Sequence, residues 1–532
     1  MTTPAPSQGP ALPAAGTARP RTLVVVLVCL AALTLTLTGC LPLLAPPSTS
    51  GPSTEASATA GAPPELARFY QQQIQWSPCE TESGRSQFEC TQVMVPIDYA
   101  KPDGDTIKLA VIRLKNSKAK SNLFVNPGGP GVSGYDLVRD AGTTMFTEKL
   151  RGTYNLIGWD PRGVKRSAPV TCLDAAKQDA LRQESPDEST DAGLAEAFAL
   201  QDKVIDACKA NTGPILAHTD TLSSVKDMDI LRAVASGRSK LDYAGFSYGT
   251  QLGSVYAGLF PDRVGRFALD GALDPSLDNR EITLGQAKAF EDELHAYLRS
   301  CLAKSGCPFK GSEDDAIGQV QSLAQSVQNQ PLRNNDGRLL PIADFINGLV
   351  YALYSDQSWP ALTQAFAAAL RGDGSGMMRI SDFAADRVQD GTYSSNGSFA
   401  FLAYNCLDYS MASDTASMRA EADELKRAAP TLGEFFAYGG VTCRDWPYKP
   451  VDADPKPARY TGSSPILVVG TTGDPATPYP WAQALRSQLG NASLLTWNAQ
   501  GHTAYGRGSA CIDDAFDGYL VDGKLPQDGK RC

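Results

Sequence analysis

The chain predicts an α/β fold: a mostly parallel sheet with helices on both faces, interrupted by a mainly helical insertion. Three observations carry that expectation. Short apolar runs alternate with helical patterns from about residue 120 to 270. The alternation stops near Asp274, and helical periodicity then dominates to about Tyr448. Strand runs resume at Pro465 to Gly470 and Ala492 to Trp497. At about 150 residues per domain, 532 residues suggest three units, yet one large domain carrying an insertion fits as well. With 42% hydrophobic and 20% charged residues the chain can bury a core, which excludes general disorder and a coiled coil. Lys plus Arg number 48 against 58 Asp plus Glu, a net charge of −10 with no basic cluster, which argues against nucleic acid as a partner.

The N-terminus predicts export. Residues 1–39 hold Arg19 and Arg21, no acid, and an apolar run from Leu23 to Leu33 too short to span a bilayer comfortably. The run ends in Leu37-Thr38-Gly39-Cys40, a lipobox-like pattern in which Cys40 would be lipidated and become the mature N-terminus. Cleavage there removes two positive charges and leaves a net charge of about −12. The expected location is the extracellular face of the cell membrane, lipid-anchored, with release from it left open. Residues 40–64 are rich in Pro, Ser, Thr, Ala and Gly and predict a disordered tether, with the folded part beginning near Glu65. Beyond Cys29 and Cys40, ten cysteines remain: Cys79, Cys90, Cys172, Cys208, Cys301, Cys307, Cys406, Cys443, Cys511 and Cys532. An exported chain oxidises its thiols, so as many as five disulfides are expected. Spacing does not fix their connectivity, and pairing neighbours in order is the simplest arrangement. No CxxC occurs and the three His lie away from the Cys, so neither a metal site nor a cofactor is expected.

The remaining elements follow in order. Phe88 to Ile97 and Thr106 to Leu114 read as a hairpin turning at Pro102-Asp103-Gly104. Asn122 to Val125 and Tyr154 to Gly158 read as strands, each followed by a loop rich in Gly or Pro. Thr221 to Ala235 reads as a helix capped by its Thr-Leu-Ser-Ser start. Leu241 to Gly245 then reads as a strand, Thr250 to Leu259 as a helix and Val264 to Leu269 as a strand. In the insertion, helices are expected at Gln286 to Leu302, Asp314 to Gln328, Leu362 to Leu370 and Met418 to Ala429.

The strongest chemical signal is Gly245-Phe246-Ser247-Tyr248-Gly249 between a predicted strand and a predicted helix. A G-x-S-x-G turn is sharp, needs small residues on both sides, and pushes the Ser hydroxyl out at the sheet's carboxyl edge. Ser247 is therefore the expected nucleophile, with an ordinary Ser in a βα turn the alternative. In α/β-hydrolases the triad runs Ser, acid, His along the chain. His218 precedes Ser247, and His295 lies in the charged stretch Glu291-Asp292-Glu293-Leu294-His295, so His502 is the expected base. Asp474, after the strand ending at Gly470, is the expected acid; Asp513 and Asp514 come too late. Thr477-Pro478 reads as the cap and first turn of the next helix. An oxyanion hole is built from backbone N–H groups: Tyr248 would supply one donor, and Gly128 or Gly129, in Asn126-Pro127-Gly128-Gly129-Pro130-Gly131, the other.

These motifs, with Gly158-Trp159-Asp160-Pro161-Arg162-Gly163, Gly473-Asp474-Pro475-Ala476-Thr477-Pro478, Asn405-Cys406-Leu407-Asp408 and Cys443-Arg444-Asp445-Trp446-Pro447, resemble the secreted tripeptidyl aminopeptidases. That group belongs with the proline iminopeptidase-like α/β-hydrolases, and the resemblance runs from about Trp76 to Cys532. Many iminopeptidases have His before Gly-Gly-Pro-Gly; Pro127 in that place favours the tripeptidyl branch. The resemblance implies release of short peptides from free N-termini through an acyl-enzyme. The helical block interrupting the βα series reads as a cap at 276–456 inserted into an α/β-hydrolase core at 65–275 and 457–532. A carboxylate in the cap should meet the substrate ammonium; Asp408 is a candidate, with a solvated or structural role as the alternative. Two other readings stay open: a carboxylesterase using the same triad, and a non-catalytic lipoprotein that binds peptides.

Overall fold

The computed structural model describes residues 57–79, 87–451 and 456–532. The predicted signal segment 1–39, the lipidation site Cys40 and the tether up to residue 56 lie outside the described residues.

In chain order the strands are β1 (Ser77–Pro78), β2 (Phe88–Pro96), β3 (Thr106–Leu114), β4 (Ser121–Asn126), β5 (Tyr154–Trp159), β6 (Leu241–Phe246) and β7 (Val264–Asp270). Then come β8 (Leu332–Arg333), β9 (Leu339–Leu340), β10 (Ile466–Gly473), β11 (Ala492–Gln500) and β12 (Lys530–Arg531). All but β8 and β9 form one sheet ordered β1-β2-β3-β5-β4-β6-β7-β10-β11-β12. The predicted hairpin is present, with Phe88 opposite Leu114 and Pro96 opposite Thr106. β3 joins β5 antiparallel, and from β5 to β12 every pairing is parallel. This is an α/β-hydrolase fold.

The centre of the sheet is covered on both sides, so its strands read as continuous apolar runs; Ile466 to Thr471 are all buried. On one face Met228, Leu252 and Leu485, from the helices Thr221–Leu231, Tyr248–Leu259 and Tyr479–Leu489, join a cluster with Phe267 and Val468. On the other, Tyr135, Val138, Leu150, Phe516 and Leu520 join Leu123, Leu156 and Leu467. β4 has β5 on one side and β6 on the other, so the chain order reverses there. Such a reversal leaves a crevice outside the carboxyl ends of the two strands. That crevice lies between the Gly-rich loop after β4 and the Ser247 turn after β6.

Between β7 and β10 the chain is mainly helical, including Asn279–Leu302, Glu313–Asn329, Ile342–Leu353, Trp359–Ala369, Ser375–Ala384, Gly397–Asp408 and Thr415–Ala428. Capping boxes start the first two, Asp278 with Glu281 and Ser312 with Asp315. Leu294, Tyr297, Phe345, Leu349 and Phe366 give this block its own apolar cluster. Ala400 and Tyr404 of helix Gly397–Asp408 instead join the core of the sheet.

Five disulfides link neighbours in sequence order: Cys79–Cys90, Cys172–Cys208, Cys301–Cys307, Cys406–Cys443 and Cys511–Cys532. A buried ion pair anchors the Trp159-Asp160-Pro161-Arg162-Gly163 segment. Arg162 donates to both Asp227 oxygens at 2.7 and 2.8 Å and to the carbonyls of Pro96, Ile97 and His218. It thereby ties the end of the hairpin to helix Thr221–Leu231.

Two expectations need correction, and one helix is unexpected. Residues 57–64 are not tether: Ala58 is fully buried and its carbonyl accepts from Arg232, while that of Ala60 accepts from Arg263. The folded part therefore reaches back to Ser57, ahead of Glu65. Helix Thr221–Leu231 is capped by Asp220, whose carboxylate accepts the Ser223 N–H at 2.7 Å. A charged oxygen is the stronger acceptor there than the Thr221 hydroxyl, which turns to Asp408 instead. Helix Asp191–Thr212 has no counterpart among the predicted elements.

Candidate active site

β6 ends at Phe246 and the next helix begins at Tyr248, so Ser247 alone makes the turn, at φ 56° and ψ −124°. A β-carbon on Gly245 would lie 2.4 Å from the Gly249 carbonyl oxygen, and one on Gly249 2.8 Å from that of Asn126. Small residues on both sides are thus a steric requirement, and the surroundings hold Ser247 in a conformation costing on the order of 1–3 kcal/mol. The Ser247 N–H donates to the Asp270 carbonyl at 2.9 Å.

The loop after β4 presses on this turn. Gly128 has φ +105°, and a β-carbon there would meet the Phe246 carbonyl oxygen at 2.6 Å and Ser247 Cβ at 2.8 Å. Its N–H donates to Asn126 Oδ1 at 2.9 Å and is therefore engaged. The Tyr248 N–H belongs to the first turn of its helix, where N–H groups have no partner within the helix.

β10 and β11 are parallel neighbours, so their carboxyl ends bring Asp474 and His502 side by side. His502 Nδ1 lies 2.9 Å from both Asp474 oxygens. The buried carboxylate also accepts from the Ala476, Thr477 and Thr503 N–H groups and the Thr477 hydroxyl. Thr477 is not the cap of the following helix, as the sequence suggests. Pro478 holds that position, and the Thr477 hydroxyl is drawn to Asp474 and sits 3.3 Å from His502 Nδ1.

Residues 270 and 271 link the Ser247 turn to His502. Asp270 bonds the Ser247 N–H, and a β-carbon on Gly271 would sit 3.1 Å from His502 Cε1. From the helical block, the Tyr354 carbonyl accepts the His502 N–H at 2.8 Å, and its ring meets the imidazole edge-on at 5.5 Å. Tyr351 stacks on Tyr354, and Phe383 meets Tyr351, so an aromatic row runs outward from His502. Arg507 donates to the carbonyls of Gln500, His502 and Thr503 and to Asp356. Asp270, Tyr354 and Arg507 carry no sequence motif; Asp270 and Tyr354 reach the loop from segments far apart in the chain, and Arg507 folds back on its own loop while pairing with distant Asp356.

The other two His lie elsewhere. His295 bonds Glu313 on the helical block at 2.7 Å, and the His218 carbonyl accepts from Arg162. Asp408, partly buried, ends helix Gly397–Asp408 and accepts the N–H and hydroxyl of Thr221 at 2.9 and 2.7 Å. The Thr221 hydroxyl is 2.6 Å from that of Tyr248. Helix Thr221–Leu231 leads into β6 and so begins at the carboxyl edge of the sheet, which puts Asp408 at the level of Ser247. Burial, with the nearby charge of Asp220, pushes its carboxyl up to about 7, against the pull of the Thr221 bonds.

The fold and the turn at its switch point define a serine hydrolase. Residues 429–532 match the family described as TAP-like protein. The serine protease Hip1 of Mycobacterium tuberculosis H37Rv is 33% identical over 531 residues, covering 96% of this chain and 98% of that one. Carboxylesterase B of the same strain is 34% identical, covering 93% and 96%. The tripeptidyl aminopeptidase of Streptomyces lividans is 30% identical, covering 89% of each chain. The chain belongs to this family of tripeptidyl aminopeptidase-like serine hydrolases.

Proposed function

We propose that the protein is an exported serine exopeptidase that releases short peptides, tripeptides above all, from free N-termini. The Asp474–His502 pair at adjacent strand ends, beside a Ser held at positive φ, carries this reading. Ser247 attacks the scissile carbonyl, and His502 takes its proton and returns it to the leaving amine. Asp474 fixes the imidazole tautomer and stabilises the imidazolium, and water then hydrolyses the ester. The Tyr248 N–H is one oxyanion donor. Gly129 is the other, because the Gly128 N–H is already engaged by Asn126.

Asp408 is the proposed partner of the substrate ammonium. It stands one Tyr248 side chain and one Thr221 hydroxyl away from the nucleophile turn, comparable with the roughly 10 Å of an extended tripeptide. An ammonium would draw the carboxyl back to its ionised form. The helical block acts as the cap that closes the site to longer acyl segments, with the Tyr354–Tyr351–Phe383 row as an apolar wall.

The five disulfides support an oxidising compartment. Cys40 is the proposed lipid attachment site after removal of residues 1–39, and Cys40→Ala should move the protein from the membrane fraction to the medium.

A tripeptidyl nitroanilide compared with its N-acetylated form tests the substrate. The free amine should be turned over with kcat/KM on the order of 100-fold or more higher. Equal turnover of the blocked amide would sink the aminopeptidase reading, and hydrolysis of esters alone would sink it in favour of the carboxylesterase reading that the carboxylesterase B relative invites.

A further inference from the structure

We infer that Asp270 is a positioning residue for the base: its carboxylate fixes the chain that follows His502, and its charge faces the imidazolium formed when Ser247 gives up its proton. The inference rests on the triad proposed above.

Asp270 ends β7 and is fully buried. Its main-chain carbonyl takes the Ser247 N–H at 2.9 Å. Its carboxylate takes the Ala504 N–H at 3.0 and 3.1 Å and the Tyr505 N–H at 2.8 Å. One residue therefore holds both the turn that carries the nucleophile and the turn that carries the base. Gly271 then brings the strand end against the imidazole itself. A displacement of about 1 Å at such a point is enough to cost on the order of 100-fold in rate.

Geometry alone would be met by any pair of acceptors, so the charge needs its own account. The charged groups facing Asp270 are Asp474, from the loop after β10, and His502, from the loop after β11. Burial and the Asp474 charge push its carboxyl up to about 6, against the two N–H bonds and His502, which pull it down. It is thus mostly ionised at pH 7. Asp474 bonds Nδ1 directly; Asp270 acts on the same ring through its field and through the backbone of residues 504 and 505.

The test is the second-order rate at which diisopropyl fluorophosphate modifies the full-length protein, followed against pH. In that reaction Ser247 Oγ bonds to phosphorus, fluoride leaves, and the serine proton passes to His502. No ammonium pocket is involved. Asp270→Asn should melt cooperatively yet react on the order of 100-fold more slowly at its plateau. Its acidic limb should move down by about half a unit or more, because the imidazole loses a neighbouring negative charge. If Asp270→Asn does not fold, Asp270→Ser, an uncharged acceptor, carries the same readout. An acidic limb left in place overturns the inference, whether or not the rate falls, since a merely structural residue would slow the reaction without moving it. Peptide mapping of the label on the unmodified sequence separates the two claims: label on any residue but Ser247 would sink the triad itself.

Discussion

At Ser247 the backbone does the positioning. Gly245, Gly249 and Gly128 let three stretches of main chain meet where a β-carbon would collide, and a carbonyl of β7 takes the Ser247 N–H. At His502 the work falls mainly to side chains from elsewhere. Asp474 holds Nδ1 and the Thr503 N–H, Asp270 the next two N–H groups, and Arg507 the carbonyls on either side, while Tyr354 lends a carbonyl from the helical block. The turn of the proposed nucleophile is set by close backbone approaches within the core. The loop of the proposed base is an assembly whose parts include the helical block, through Tyr354, so its geometry depends on how that block is seated.

Substitutions should separate the two sites in size of effect. Ser247→Ala should lower kcat for a tripeptidyl amide by on the order of 10⁵ to 10⁶, with the melting temperature kept; retention of activity would remove the nucleophile assignment. Gly128→Ala forces a β-carbon against Ser247, and kcat should fall on the order of 100-fold or more, with about 1–3 kcal/mol lost in denaturant melts.

Smaller effects are expected at the distributed contacts. Asp408→Asn should raise KM for free tripeptides by about 10- to 100-fold with kcat little changed, the value of one charged hydrogen bond. Its carboxyl is raised to about 7, so below that pH pairing with an ammonium first requires loss of a proton and is weaker. KM should therefore climb as pH falls through about 7 in the wild type and stay flat in Asp408→Asn. Arg507→Ala, which frees the base loop from Asp356, should lower kcat by roughly tenfold. Asp356→Ala, removing only a half-exposed partner, should cost less than about threefold. Equal losses at Gly128 and Asp356 would erase the distinction between the two sites.

The same distinction explains what the sequence reveals. The Gly245 to Gly249 motif at the turn of the proposed nucleophile is contiguous and so can be read directly, whereas the close approach of Gly128 and Asn126 comes from a distant loop. The hairpin and the βα alternation are likewise local, whereas the disulfide connectivity is not fixed by spacing, and two of the pairs span 36 and 37 residues. His502 is reachable by chain order among three histidines, and Asp474 by its place after a strand. Asp270 resembles any acid at a strand end until β11 folds back beside it. Thr477 reads as a helix cap because hydroxyl-then-proline is a common start, and only the neighbouring carboxylate redirects it. Helix Asp191–Thr212 buries few side chains, which leaves little periodicity to find. The closing of residues 57–64 onto Arg232 and Arg263 depends on partners about 175 and 200 positions away.

The most direct test is a mass-spectrometric time course on an unblocked peptide of about twelve residues, run with the wild type and with Ser247→Ala. The account predicts successive losses of three residues from the N-terminus, a transient tripeptidyl adduct on Ser247, and no cleavage by the variant. Cleavage within the peptide, release of single residues only, or unchanged products from Ser247→Ala would contradict it.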